Sequence, residues 1–146
     1  LVYTTVNDVS LNKDIIVSIM QANNSVMEKL AHALKPFGLS VQQFNVLRIL
    51  RGQKGNMLNL NEITHRMIHK MSNTTRLVDK LIDKSLVERV ICPENRRRVN
   101  ISITEKGLEI LSQIDSVIQE FEKEIIHLLS EKEKNTLLNL LIKIKS

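Results

Sequence analysis

Aromatic residues are scarce in this chain: three Phe, one Tyr and no Trp among 146 residues. Proteins that grip single-stranded nucleic acid stack its bases on aromatic rings. A nucleic-acid target would therefore be a duplex. The single cysteine, Cys92, has no intrachain disulfide partner, and a lone thiol fits a reducing cytosol. The apolar runs are only a few residues long, too short to span a bilayer. The leading Leu1-Val2-Tyr3-Thr4-Thr5 lacks the basic and apolar regions of a signal peptide. The expected location is cytoplasmic, without a membrane partner. Also missing are a glycine-rich phosphate loop, a nucleophile elbow and a Cys-His pair at a family spacing. The chain is read as no enzyme, with no catalytic residues, no metal site and no cofactor.

Glycine and proline are few and sit at joints: Lys35-Pro36-Phe37-Gly38, then Gly52 and Gly55, then Pro93. Gly107 is the exception, lying in the first turn of a predicted helix. Between these joints the apolar residues keep helical spacing. Ile15, Ile19, Ala22, Val26, Leu30 and Ala33 mark a long helix from Asp14 to Leu34. Ser40 with Gln43, Asn59 with Glu62 and Ser130 with Glu133 are capping boxes, each opening a helix. Ser72 is expected to cap a further short helix reaching Lys84, with Leu77, Val78 and Leu81 inward and Thr74 on the same face. Leu86–Cys92 and Arg98–Ile103 read as strands, the second alternating Val99, Ile101, Ile103 against Arg98, Asn100, Ser102. Thr104 caps a long helix carrying Leu108, Leu111, Ile114, Ile118, Phe121, Ile125 and Leu128. The last helix carries Leu137, Leu138, Leu141 and Ile144.

The charge is concentrated. Residues 65–98 hold nine Lys/Arg against four Asp/Glu, a surplus of five, and the rest of the chain holds twelve of each. The whole net charge of +5 thus lies in one window. That window contains a capped helix with a polar leading turn, followed by a hairpin whose tip is read as Arg96-Arg97-Arg98. This pairing is what a winged helix-turn-helix uses to hold duplex DNA. The fold class follows: mainly α with a small β-hairpin wing, a winged helix-turn-helix with N- and C-terminal dimerisation helices. Residues 1–146 form one domain, with 40–104 the DNA-binding lobe and 10–35 and 105–146 the dimerisation helices. The terminal helices carry more apolar surface than a tri-helical core can cover, so a two-fold homodimer is expected, with a monomeric helical bundle as the alternative.

Several segments, in order and spacing, resemble the MarR family of winged-helix transcription regulators. They are Gly38-Leu39-Ser40 with Phe44-Asn45-Val46-Leu47, Met71-Ser72-Asn73-Thr74-Thr75-Arg76-Leu77-Val78-Asp79-Lys80-Leu81, and Asn95-Arg96-Arg97 ahead of Ser102-Ile103-Thr104-Glu105-Lys106-Gly107. The resemblance covers nearly the whole chain. It implies a homodimeric regulator, a repressor on a pseudo-palindromic double-stranded DNA site, with a place for a small-molecule effector between the dimer helices and the DNA-binding lobe; a ligand-free constitutive regulator is equally compatible. No ligand-binding residues can be named. Two departures stand out. The family's wing often carries Asp-x-Arg, and here Asn95 occupies the acidic position, with Glu94 as a substitute. The family tends to have Gly where Ser85 ends the recognition helix, and a serine there must take a left-handed or alternative cap at some cost.

The residues read as DNA-binding are Ser72, Asn73, Thr75, Arg76, Lys80, Arg96, Arg97 and Arg98. Asn and Arg make bidentate contacts to adenine and guanine edges. Ser72 offers donors to a phosphate at a helix start. Wing arginines suit a narrow A·T-rich minor groove. The bland reading is a capped surface helix and a solvated charge run. A protein-interaction module that docks an acidic partner on the same basic patch is the rival from another class. His65 and His69 stand four apart on a predicted helix, but without the adjacent Glu of a zinc protease they read as solvated histidines. His32 and His127 have no evident role. Cys92 reads as a buried or half-buried wing thiol, with redox sensing beside the arginines as the alternative.

Overall fold

The computed structural model describes residues 8–146, so Leu1–Thr5, read above for a signal segment, lie outside the described residues. The order is α1 (Asp8–Leu34), a 3-10 turn (Lys35–Phe37), α2 (Val41–Gly52), β1 (Leu58–Asn59), α3 (Leu60–Arg66), α4 (Thr74–Asp83), β2 (Val87–Cys92), β3 (Asn95–Ile103), α5 (Glu105–Ile126) and α6 (Glu131–Lys145). All three capping boxes form as expected: Ser40, Asn59 and Ser130 each exchange bonds with the residue three positions on. The Ser130 backbone N–H, then its hydroxyl, hold the Glu133 carboxyl below the usual glutamate range. Above that range the ionised carboxylate supports the cap of α6; the support is lost as the pH falls through the lowered pKa.

One buried cluster unites the elements. Leu34 closes α1, Phe44, Leu47 and Leu50 come from α2, and Ile63 from α3. Val78 and Leu81 come from α4, Ile101 from β3, and Leu111 and Ile114 from α5. Each such side chain contributes about 1.5–3 kcal/mol on leaving water. The expected inward residues of α4 are confirmed, since Thr74, Val78 and Leu81 are buried and Leu77 is half-buried. Leu128 is not part of the long helix. It lies in the turn after α5 and is 84% exposed.

The sheet has three strands rather than two, in the antiparallel order β1-β3-β2. Leu58 pairs with Ile101 and Asn59 with Asn100. A two-residue strand is too short to show alternation, and here it also leads directly into the α3 cap. The arginines do not form the hairpin tip. Pro93-Glu94 make the turn, and Asn95 to Arg98 already belong to β3. The ladder shifts register between Ile91 and Cys92, which lets Cys92 pair with Asn95 and brings β3 in earlier than its alternation suggests.

The end of α4 and the start of α5 meet at the base of the wing. Ser85 adopts φ 62°, the left-handed cap that its position required. Its N–H donates to Ile82 O at 2.8 Å and the Leu86 N–H to Leu81 O at 3.0 Å, a Schellman arrangement. The Leu86 carbonyl in turn accepts the Thr104 N–H at 3.0 Å. Gly107 fills the remaining gap: a Cβ there would lie 2.3 Å from Leu86 O and 2.7 Å from Ile103 Cγ1. This explains a glycine in the first turn of a helix. On the other side, Arg51 of α2 donates twice to the Asp115 carboxylate of α5, both at 3.0 Å. Both partners are partly exposed, so the pair sets an angle more than it adds stability.

Two substitutions at this joint should act oppositely. Gly107→Ala, which in an open helix gains about 1 kcal/mol, should instead cost about 1–3 kcal/mol by overpacking. Ser85→Gly should gain about 1 kcal/mol by relieving the left-handed cap. Urea denaturation of the two variants against the parent chain measures both signs.

Candidate nucleic-acid interface

Helix α4 is positioned at its start by a polar contact between helices. The Thr64 hydroxyl donates to Leu60 O at 2.9 Å and lies 2.8 Å from the Thr74 hydroxyl, which is buried. The turn before α4 is held from α2, where Asn45 Oδ1 accepts the Ile68 N–H at 2.9 Å. The cap of α4 is Asn73, not Ser72: Asn73 Oδ1 accepts the Arg76 N–H at 3.2 Å. An Asn at this position matches a Ser as an N-cap, so composition could not decide between neighbours. Ser72 lies half-buried, and its Oγ is shut off from solvent without a partner.

The remaining expected residues of α4, Thr75, Arg76 and Lys80, are exposed. Ser72, Asn73, Arg76 and Lys80 line one cleft together with the start of α2. Arg96, Arg97 and Arg98 do not line it; they stand exposed along β3. They also differ among themselves. Arg98 is drawn back to Glu62 of α3 at 3.7 Å. Arg96 and Arg97 have no ion-pair partner among the described residues. The Asn95 side chain serves the turn instead of a guanidinium: its Oδ1 accepts the Arg97 N–H at 3.1 Å.

Sequence reading missed the ion pair that ties α4 to the wing, between Asp79 and Arg89 of β2. It also missed Thr64, Asn45 and Glu62 as supports. No periodicity marks such residues, because each partner is brought close only by the fold. His65 and His69 do not share a helix, since α3 ends at Arg66, so their spacing has no helical meaning. Among the described residues no three His, Cys, Asp or Glu gather as metal ligands. Cys92 is half-buried at the end of β2.

Residues 39–99 match the family model described as MarR family. That span runs from the residue before the α2 cap through the basic part of β3. The chain carries a MarR-family domain. Similar solved structures follow the MarR-like chain along most of its length. A MarR variant from E. coli complexed with operator DNA is 25% identical, with 95% of this chain and 99% of that chain covered and a TM-score of 0.83. A MarR-like transcription regulator from Bacillus cereus ATCC 10987 is 24% identical, covering 93% and 96%, with a TM-score of 0.84. BpsR of Bordetella bronchiseptica, whose DNA binding is regulated by 6-hydroxynicotinic acid, is 17% identical, covering 91% and 99%, with a TM-score of 0.81. The matched span and these structures give the chain the winged-helix fold of the MarR type and indicate a transcription regulator. Among the described residues no helix is long and apolar enough to cross a membrane.

The Asn95 contact generates a test of the wing. Asn95→Ala should loosen the turn, seen as faster amide exchange at Arg97. Asn95→Asp should keep the bond and leave that exchange near the parent rate.

Proposed function

We propose that this MarR-family chain acts as a homodimeric repressor on a pseudo-palindromic duplex site, with residues 40–104 as the DNA-binding lobe and the helices within 10–35 and 105–146 as the dimerisation part of a single domain. The observation that carries the DNA reading is the capped α4, which presents Thr75, Arg76 and Lys80 to solvent beside an arginine-bearing strand. Arg76 reads a base edge in the major groove, Thr75 and Lys80 flank it, and Arg96 and Arg97 follow the neighbouring backbone or minor groove. Asn73 is committed by its cap and Ser72 by its burial, so both help through the backbone more than through their side chains. Arg98 contributes least, being paired with Glu62.

Support for the dimer comes from uncovered apolar surface. Helix α6 buries no residue in the single chain, and Leu137, Leu138, Leu141 and Ile144 stay exposed. Helix α1 likewise leaves Leu11, Ile15, Ile16 and Met20 open. A continuous apolar face of this length is covered in a stable regulator, and a two-fold arrangement of the same helices covers both at once. A cleft of about 840 Å3 between α1 and α5, lined by His32, Val117 and Phe121 among others, suits a small effector. An effector held there would change the distance between the two α4 helices and release DNA. The relative BpsR, with its 6-hydroxynicotinic acid, supports this part of the reading.

Two experiments test the proposal. On a duplex selected from a random pool, Arg76→Ala should cost roughly 1–3 kcal/mol and relax preference at one position. Arg97→Ala should weaken binding and lower the salt slope by about one, whereas Arg98→Ala should do markedly less. Unchanged selection by Arg76→Ala removes the base-reading role. For assembly, Leu141→Asp should convert dimers to monomers or aggregates in light scattering; a stable parent monomer at micromolar concentration overturns the dimer.

A further inference from the structure

We propose that the small cleft between the start of α2 and the outer side of α4 is a seat for one backbone phosphate of the bound duplex, with His69, Lys80 and the first turn of α2 as its donors. The inference rests on the DNA-binding reading above and adds a second element, α2, to the contact. The cleft measures about 320 Å3, and His69, Arg76 and Lys80 line it together with Ser40, Gln42 and Ser72. None of its lining residues is acidic. Such a lining repels a metal cation and favours an oxyanion.

The donors are specific. His69 Nδ1 accepts the Met71 N–H at 3.2 Å. In the neutral ring the proton then sits on Nε2, and this N–H is left over for the cleft. In α2 the capping box occupies the N–H groups of Ser40 and Gln43. The N–H groups of Val41 and Gln42 have no intrahelical acceptor by position, and they stand at the positive end of the twelve-residue helix. A free anion in so open a cleft would exchange with water. A DNA phosphate arrives with its position already set by the docking of α4, so its ordering cost is largely met. The division of labour follows: Lys80 and His69 clamp the strand, and Arg76 stays free for the bases.

The test uses the full chain and a duplex that the parent selects from a random pool. His69→Asn is the informative variant, because Asn Oδ1 can take over the Met71 N–H as an Asx turn while the Nε2–H donor disappears. Its thermal melt should match the parent, and its affinity should fall about tenfold, the loss of one hydrogen bond to a charged group. Lys80→Ala should lower the salt slope by about one. Ethylating single phosphates should block the parent at several positions per half-site, and one of these should become tolerant in both variants while the others still block. Unchanged affinity and an unchanged ethylation pattern in His69→Asn overturn the seat while leaving the DNA reading intact. Failure of the parent to select any duplex overturns the DNA reading itself and the seat with it. Inorganic phosphate that displaces DNA from the parent but not from His69→Asn, at constant ionic strength, would mean that the cleft takes a free anion, which also overturns the assignment.

Discussion

At the base of the wing, one carbonyl group, Leu86 O, organises three elements. It accepts the Thr104 N–H, closing the wing, and it lies where any side chain on Gly107 would have to go. Around it, the Thr104 hydroxyl donates to Ser85 O at 2.7 Å and accepts the Gly107 N–H at 3.0 Å, while Lys106 Nζ donates to Lys84 O at 3.2 Å. The end of α4, both ends of the hairpin and the start of α5 are therefore fixed in one small volume. A backbone approach this close admits few alternatives, because packed interiors do not deform continuously. The direction in which α4 points and the direction in which α5 leaves are consequently linked. On the proposed reading, in which α5 belongs to the dimerisation part, that joint would carry a rearrangement of the dimer to α4.

The polar contacts around α4 divide into supports and free groups. Asp79 with Arg89, Glu62 with Arg98, and Thr64 with Thr74 hold α4, the wing and α3 together. What they leave unpaired is informative: Arg76, Lys80, Arg96 and Arg97 have no carboxylate partner among the described residues. Exposed ion pairs contribute little to stability. Their effect here is to decide which cations are spent inside the protein and which remain for a polyanion.

Much of this was legible in the residues. The three capping boxes, the inward residues of α4, the strained cap at Ser85 and the basic window all appear in the structure as read. Each is a local feature: a cap spans three residues, an amphipathic face a few turns, and a left-handed cap one residue. The errors also share a cause. Ser72 and Asn73 are equivalent as caps by type, β1 is too short to alternate, the Ile91–Cys92 irregularity moves the arginines from tip to strand, and Leu128 follows a helical spacing past the helix end.

By itself, then, the sequence determined the helices, the wing, the concentration of charge and the resemblance that named the family, because these are set by neighbours within a few positions. Tertiary structure alone decided which arginines are free and why residue 107 is glycine. It also brought His69 and the start of α2 to the same cleft as Lys80. Those outcomes depend on groups far apart in sequence being brought together, as Glu62 is to Arg98 and Leu86 to Gly107, and no local pattern encodes such a meeting.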